Sequence, residues 1–252
     1  GNMNADNETL QFVEQLKEEV SGKGNFVIGH SDVDLMIYDS EGNRIVRKQE
    51  TNIGDFCADA LRSFTDADIA MVNGGGIRTN IKRGEILFND LYNVMPFGDM
   101  IATGTFYGEQ LLDVLEFAVS ALPTEAGTFM QVSGLRFTVD PDIPSPVMKD
   151  TETGMFSHVG EGERRVSHVE ILDKQSGEYK AVELSRQYTI ATLDYLILEQ
   201  GGSGILSCVK PDSIYWGADI EVLRHYLESV LGGNIGSEYT KPQGRIIYKY
   251  FN

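Results

Sequence analysis

The sequence predicts a single α/β domain with mixed sheets, and three observations carry that prediction. Apolar residues recur at helical spacing between Ile53 and Phe64, which is typical of an amphipathic helix. Apolar residues alternate at Leu135, Phe137 and Val139, as in a strand with one wet face. The sequence shows no internal repeat or low-complexity linker, so helices and strands alternate along one continuous unit.

Helices are predicted where apolar residues return every three or four positions. The predicted helices cover residues 8–20, 53–64, 111–122 and 220–231, with a short helical turn at 89–94. The second of these is predicted to begin at Asn52, because Asp55 three residues on resembles a capping box with Asp in place of Glu.

Strands are predicted from short apolar or alternating runs that are bounded by turn residues. The predicted strands cover residues 26–29, 35–38, 69–72, 86–88, 100–106, 135–139, 188–193 and 245–250, with a hairpin of 166–172 and 179–184. Residues 140–164 are rich in Pro, Gly and charge, so they are predicted to form a long surface loop.

Composition limits the class of partner. The chain has 252 residues and a formal net charge of −17, which argues against nucleic acid because duplex binding relies on clustered Lys and Arg. No apolar run of the sequence approaches the roughly 18 residues that cross a bilayer.

Cys57 is predicted to be a free buried thiol, and the state of Cys208 is left open. Gly1 resembles a tag remnant on a trimmed N-terminus, which is compatible with an export signal in the original chain.

Four polar or glycine-rich loops lie at the junctions between predicted elements. They hold Arg47, the run from Asn73 to Arg78 with Gly75 and Gly76, the turn at Phe97, and the segment of Tyr195 and Ser203. Glycines reach positive φ and allow close approach to the main chain, while arginine suits phosphate or carboxylate. Such a set suits a nucleotide, whose base stacks between aromatic rings. Each residue alone also fits a structural role, Phe97 as the anchor of its turn and Arg47 as a solvated charge.

Four motifs tie these loops together. Residues 50–55 read ETNIGD, 73–78 read NGGGIR, 95–98 read MPFG and 133–137 read SGLRF. In this order and spacing they closely resemble the C-terminal domain of the 5'-nucleotidase/UDP-sugar hydrolase family. The resemblance implies a layered α/β/β/α fold that binds the base and sugar of a nucleotide. It also implies a separate calcineurin-like domain that holds two metals and performs hydrolysis, in an extracytoplasmic enzyme.

The resemblance also implies which residues bind the substrate. Phe97 resembles one half of the family's aromatic clamp, and Tyr195 resembles the other half at a longer spacing than usual. Ser203 stands where the family has an aspartate that binds ribose hydroxyls, and its hydroxyl can bind a sugar only without charge assistance. The identity of the ligand is therefore open. The other implied substrate-binding residues are Arg47, Asn73, Gly75, Gly76 and Arg78.

The sequence lacks the motifs of a two-metal phosphoesterase, which gathers several Asp, His and Asn ligands. Alternation would put His30, Asp32 and Asp34 on one face of an extended segment, where a metal site is geometrically compatible. A solvated strand edge or loop is the favoured interpretation. We therefore expect no catalytic residue, no metal ligand and no cofactor on this chain. Divalent metals are expected on a partner metallophosphoesterase domain or chain.

Three hypotheses remain. The chain is the substrate-binding half of a split 5'-nucleotidase, a stand-alone nucleotide- or nucleoside-binding protein without turnover, or a fragment of a two-domain enzyme. The expected division is a helical segment over 1–24 and a 5'-nucleotidase C-terminal-like domain over 25–252. The amphipathic pattern of residues 8–20 favours the start of a free-standing domain over a random cut.

Overall fold

The computed structural model describes residues 26–198 and 203–249, except for the side chains of 213–216. Its helices are α1 (Asn52–Thr65), α2 (Phe88–Val94), α3 (Gly108–Ala118), α4 (Asp194–Ile197) and α5 (Asp219–His225), with α5 continuing as a π-helical turn over Tyr226–Val230. Its strands are β1 (Val27–Ser31), β2 (Ile69–Asn73), β3 (Gly84–Leu87), β4 (Met100–Tyr107), β5 (Met130–Ser133), β6 (Leu135–Val139), β7 (Val147–Lys149), β8 (Phe156–Val159), β9 (Val166–Leu172), β10 (Tyr179–Ala181), β11 (Gln187–Leu193), β12 (Lys210–Ala218), β13 (Asn234–Ile235) and β14 (Ile246–Tyr248). The predicted helix over 8–20 lies outside the described residues.

The strands form three larger sheets and the hairpin β7–β8. The five-stranded sheet has the order β12-β4-β11-β2-β5, in which β11 and β2 are parallel and the other neighbours antiparallel. The four-stranded sheet has the order β10-β9-β6-β14, with β6 and β14 parallel. The third sheet has the order β13-β1-β3. Mixed pairing in all three confirms the predicted fold class.

Helix α1 packs against β2, β5 and β11 of the five-stranded sheet. Its N-cap is Thr51, whose hydroxyl accepts the N–H three residues on at 3.1 Å. The predicted capping box at Asn52 and Asp55 is wrong because both side chains bind elsewhere. The Asn52 amide oxygen accepts from Met36 N–H at 2.9 Å, and an Asp55 oxygen accepts from Gln243 N–H at 3.0 Å.

The predicted strand over residues 35–38 is wrong. Leu35 pairs with Ile81, and Tyr38 pairs with Arg44, as isolated bridges outside any strand. The second bridge closes the turn after Tyr38, where Asp39 N–H donates to the Asn43 carbonyl at 3.0 Å. The predicted turn at 40–43 is therefore present, but without flanking strands.

The predicted surface loop over 140–164 is wrong in part, because it contains β7 and β8. Phe156 holds this hairpin against the rest of the domain. Its ring packs on Phe117 of α3 with centroids 4.9 Å apart, and its N–H donates to the Ser203 carbonyl at 2.7 Å. One apolar anchor in a polar, glycine-rich stretch gives little sequence signal. Strands β5, β12 and β13 were not predicted either.

A continuous apolar core lies under both main sheets, with Phe56, Phe117, Phe129 and Phe137 among its fully buried side chains. Cys57 is buried in it and is a free thiol, as predicted, and Cys208 is also free. No helix within the described residues has the length and apolar character that crossing a membrane requires.

Candidate nucleotide-binding site

A cleft of about 410 Å³ opens at one edge of the five-stranded sheet. The parallel strands β2 and β11 end there, and the antiparallel strands β4 and β5 begin there. The loops at these strand ends therefore converge, as is usual for ligand sites outside the carboxyl ends of parallel strands. Six of the eight predicted substrate-binding residues line this cleft: Asn73, Gly75, Gly76, Phe97, Tyr195 and Ser203.

The glycine run after β2 is needed for close packing. A Cβ on Gly74 would lie 2.2 Å from the Val46 carbonyl oxygen, and one on Gly75 would lie 2.9 Å from the Gly127 carbonyl oxygen. Gly74, Gly75 and Gly76 do not have positive φ, so the run uses the close approach that glycine allows and not its left-handed backbone. Positive φ occurs instead at Gly98, at +70°, in the turn that follows Phe97.

The side chain of Asn73 shares a hydrogen-bond acceptor with the glycine run. Its side-chain N–H donates to the Gly127 carbonyl at 3.2 Å, beside the Gly75 N–H that donates to the same oxygen at 3.0 Å. Its Oδ1 is buried and has no hydrogen-bond donor among the described residues. A buried carbonyl oxygen without a donor costs about 1–3 kcal/mol, so this wall of the cleft suits a ligand that donates.

Arg78 joins the glycine run to the aromatic turn. Its guanidinium carbon lies 5.8 Å from the centroid of the Phe97 ring, and its Nη1 donates to the Gly75 carbonyl at 3.1 Å. The Phe97 ring is 60% exposed, so it does not anchor its turn in the core. Arg78 is exposed and stands beside the cleft rather than among the residues that line it.

Arg47 lies behind the glycine run. Its carbonyl accepts from Ala126 N–H at 2.9 Å, and its buried Nε has no acceptor among the described residues. Burial lowers the pKa of the guanidinium, and repulsion from Arg44 and Arg78 lowers it further. Arg44 is neutralised by a bidentate pair with Glu125, at 3.0 and 2.8 Å. Arg47 and Arg78 therefore form a local positive field in an acidic protein.

The cleft has a second aromatic lining residue. Tyr195 lies in the first turn of α4 and is 37% exposed, and Ser203, which also lines the cleft, is buried. The sequence did not single out Asp99, Gly127 or Leu196, which also line the cleft. Asp99 could have been predicted from the sequence, because it stands two residues after Phe97 in the same turn.

Within the described residues, no group of three or more His, Cys, Asp or Glu has a geometry that could hold a metal. His30 and Asp32 both bind Asn234, at 3.2 and 2.9 Å. Asp34 turns away and accepts from Arg83 N–H at 2.9 Å. His30 lies in β1, the middle strand of its sheet, and Asp32 and Asp34 lie in the loop that follows it.

The architecture is a mixed α/β domain with a cleft that Phe97 and Tyr195 line and with Arg47 and Arg78 close to the glycine run. A sequence profile of the family described as "5'-nucleotidase, C-terminal domain" matches residues 27–210, and the chain belongs to this family. The resemblance inferred from the motifs is confirmed.

Individual relatives agree with this assignment. The chain is 29% identical over 244 residues to the trifunctional nucleotide phosphoesterase protein YfkN of Bacillus subtilis, covering 95% of this chain and 15% of that protein. It is 29% identical over 250 residues to a 5'-nucleotidase of Vibrio parahaemolyticus, covering 98% of this chain and 38% of that protein. The chain thus spans well under half of each relative.

A solved structure shows the same fold. The 5'-nucleotidase precursor of Thermus thermophilus matches with a TM-score of 0.73 and 24% identity, over 100% of this chain and 44% of that chain. This likeness confirms the fold class that the resemblance implied.

Proposed function

We propose that this chain is the substrate-recognition domain of a 5'-nucleotidase-type phosphoesterase and binds a nucleotide or nucleoside in the cleft at the end of β2 and β11. The observation that carries the proposal is that two exposed aromatic side chains, Phe97 and Tyr195, line one cleft together with the polar side chain of Asn73. The names of the relatives, a nucleotide phosphoesterase and a 5'-nucleotidase, support it.

The base is held between the two rings. Stacking on an aromatic side chain contributes about 1–3 kcal/mol per base and tolerates any base. Apolar side chains of Met130, Leu196 and Ile205 also line the cleft and offer the flat face of a base an apolar surface. Phe97 and Tyr195 therefore supply affinity more than base identity.

The polar groups hold the sugar and phosphate. The buried Oδ1 of Asn73 accepts from a ligand N–H or O–H, which satisfies the oxygen. Arg47 and Arg78 attract the phosphate, because each is a cation that no described carboxylate pairs with as an ion pair. Ser203 offers a hydroxyl to the ribose in place of the family's aspartate.

Hydrolysis requires a second component. Two divalent metals and their ligands are expected on a metallophosphoesterase domain or chain, because this chain carries none of the motifs that hold them. An extracytoplasmic location follows from the same resemblance. The competing proposal is a stand-alone nucleotide- or nucleoside-binding protein without turnover, which has the same cleft but no partner.

Calorimetry with AMP, adenosine and UDP-glucose tests the binding proposal. Binding of AMP that weakens about tenfold to a hundredfold in Phe97→Ala supports a base slot, given the stacking energy above. Tyr195→Ala is expected to act similarly. Absence of binding to all three compounds would contradict the proposal.

A phosphatase assay on AMP separates the two functional alternatives. The purified chain is stripped of metal and assayed with Mn²⁺ or Mg²⁺ restored, and no turnover is expected. Turnover by this chain alone would overturn the assignment of the metals to a partner. Activity that appears only when a metallophosphoesterase domain of a relative is added would favour the split enzyme over the stand-alone binder.

A further inference from the structure

The two aromatic walls of the cleft are connected through one peptide segment, Asp99–Met100. Asp99 ends the turn that carries Phe97, and Met100 begins β4. The N–H of Asp99 donates to Oδ2 of Asp219 at 3.2 Å, and the N–H of Met100 donates to Oδ1 of Asp194 at 3.1 Å. Two consecutive backbone N–H groups thus donate to the carboxyl groups of two different residues.

Asp219 holds the Phe97 side of this junction. Its side chain is buried, with the residue 1% exposed, at the start of α5. Its backbone N–H donates to the Asp99 carbonyl at 2.9 Å, so Asp219 and Asp99 bind each other in both directions. The second oxygen of Asp219 accepts from Ile220 N–H at 2.7 Å, which fixes the carboxylate on its own helix.

Asp194 holds the Tyr195 side. It is the first residue of α4, and its Oδ1 also accepts from Tyr195 N–H at 2.8 Å. One oxygen therefore bridges the N–H of Met100 and the N–H of the residue that carries the second ring. A shift of β4 relative to α4 would break this bridge.

Burial of the Asp219 carboxyl is costly for stability, because it takes the charged form out of water. Burial raises the pKa of this carboxyl to about 8, although the N–H groups of Ile220 and Asp99 lower it. Loss of this carboxyl would leave the N–H groups of Asp99 and Ile220 without their acceptor.

We propose that Asp219 and Asp194 are positioning residues that set the separation of Phe97 and Tyr195 and so preorganise the base slot. The inference rests on the proposed function of the cleft. Neither carboxyl group lines the cleft. Each one fixes the backbone next to a ring, which lowers the conformational entropy that base binding would otherwise remove.

The first test compares AMP with ribose 5-phosphate, which lacks the base. We expect Asp219→Ala to weaken AMP about threefold to tenfold and to leave ribose 5-phosphate unchanged, since ordering one side chain accounts for that range. Asp219→Asn keeps one acceptor oxygen and is expected to restore most of the AMP affinity. Asp194→Ala is expected to behave like Asp219→Ala. The exposed Asp212→Ala is the matched control and is expected to bind as the parent does.

A double-mutant cycle tests whether Asp219 acts through Phe97. In a Phe97→Ala background, Asp219→Ala is expected to cause no further loss of AMP affinity, because the ring that it positions is absent. Equal losses for AMP and ribose 5-phosphate, or additive losses in the cycle, would assign Asp219 a general structural role and overturn the proposal.

A measurement made without ligand tests the positioning role of Asp219 separately from the proposed function. 4-Fluorophenylalanine at position 97 is expected to give one sharp ¹⁹F resonance in the parent chain and a shifted or broadened one in Asp219→Ala, with recovery in Asp219→Asn. An unchanged resonance in a folded Asp219→Ala overturns the positioning role. If the parent chain fails to bind AMP, the proposed function fails, and the ¹⁹F result still decides whether Asp219 positions the ring.

Discussion

The guanidinium of Arg78 lies against the face of Phe97, 5.8 Å from the ring centroid. The backbone N–H of Arg78 donates to the Val94 carbonyl at 2.8 Å, and its side chain donates to the Gly75 carbonyl at 3.1 Å. One residue thus links the glycine run after β2 to the turn before β4. A cation–π contact at an exposed site contributes about 0.5–1 kcal/mol, which is enough to orient the ring but not to bury it.

Arg78→Ala is expected to weaken AMP binding about tenfold to a hundredfold, because a hydrogen bond to a charged group contributes about 1.5–3 kcal/mol. Arg78→Lys keeps the charge but loses the planar fork, so an intermediate loss is expected. Calorimetry measures both. Arg224→Ala is the matched control, since Arg224 makes a similar contact 5.9 Å from the Phe26 ring but lines a different pocket, with Ile220 and Glu228. Equal affinities in Arg78→Ala and the control would contradict a role in phosphate binding.

Gly74→Ala is expected to lower the free energy of unfolding by about 1–3 kcal/mol. The new Cβ would lie 2.2 Å from the Val46 carbonyl oxygen, and backbone cannot move aside as a flexible side chain can. Gly127→Ala is the control, because its Cβ would meet only the Gly75 Cα, at 3.7 Å. The control is expected to be unchanged or up to about 1 kcal/mol more stable in urea unfolding. Equal stability of the two variants would show that the glycine run is not closely packed.

The site was predictable from sequence where each residue acts through its own loop. Asn73 and Phe97 follow or precede strands, and those strands were found from apolar runs. Local sequence patterns do not indicate which distant residue each loop binds. The Gly127 carbonyl accepts a hydrogen bond from the Asn73 side chain across 54 residues, and Asp219 accepts one from Asp99 across 120. Pairing at such separation depends on the tertiary fold.

The same reason explains the errors in the fold. Asn52 has the composition of an N-cap, but its side chain binds Asp34 and Tyr239 carbonyls at 2.8 Å, and Thr51 takes the cap instead. Tertiary hydrogen bonds outweighed a local preference. Hairpin β7–β8 was missed because Phe156 is a single apolar anchor whose partner, Phe117, is distant in sequence.

Gln131→Glu is expected to lower the free energy of unfolding by at least about 2 kcal/mol. Buried Gln131 accepts from Thr51 N–H at 3.0 Å and donates to the carbonyls of Val46 and Gln49 at 2.9 and 2.7 Å. A carboxylate accepts but cannot donate, so both carbonyls would face an anion. Urea unfolding measures the loss, and exposed Gln175→Glu is the control, expected within about 0.5 kcal/mol of the parent. A parent-like Gln131→Glu would show that the segment before α1 is not held by this amide.

Asp55→Asn is expected to flatten the pH dependence of stability between about pH 5 and 8. Burial raises the pKa of the Asp55 carboxyl to about 8, although Arg245 at 3.5 Å opposes the shift. The folded chain therefore holds a proton that the unfolded chain releases near pH 4, so the contribution of Asp55 to stability is largest at low pH and falls as the pH rises towards 8. The slope from one such group is at most about 1.4 kcal/mol per pH unit.

Urea unfolding at several pH values measures this slope, with exposed Asp212→Asn as the control that keeps the parent slope. Because Asp219 has the same direction of shift, Asp55→Asn is expected to reduce the slope rather than abolish it. An unchanged slope in Asp55→Asn would mean that Arg245 keeps Asp55 ionised throughout this range.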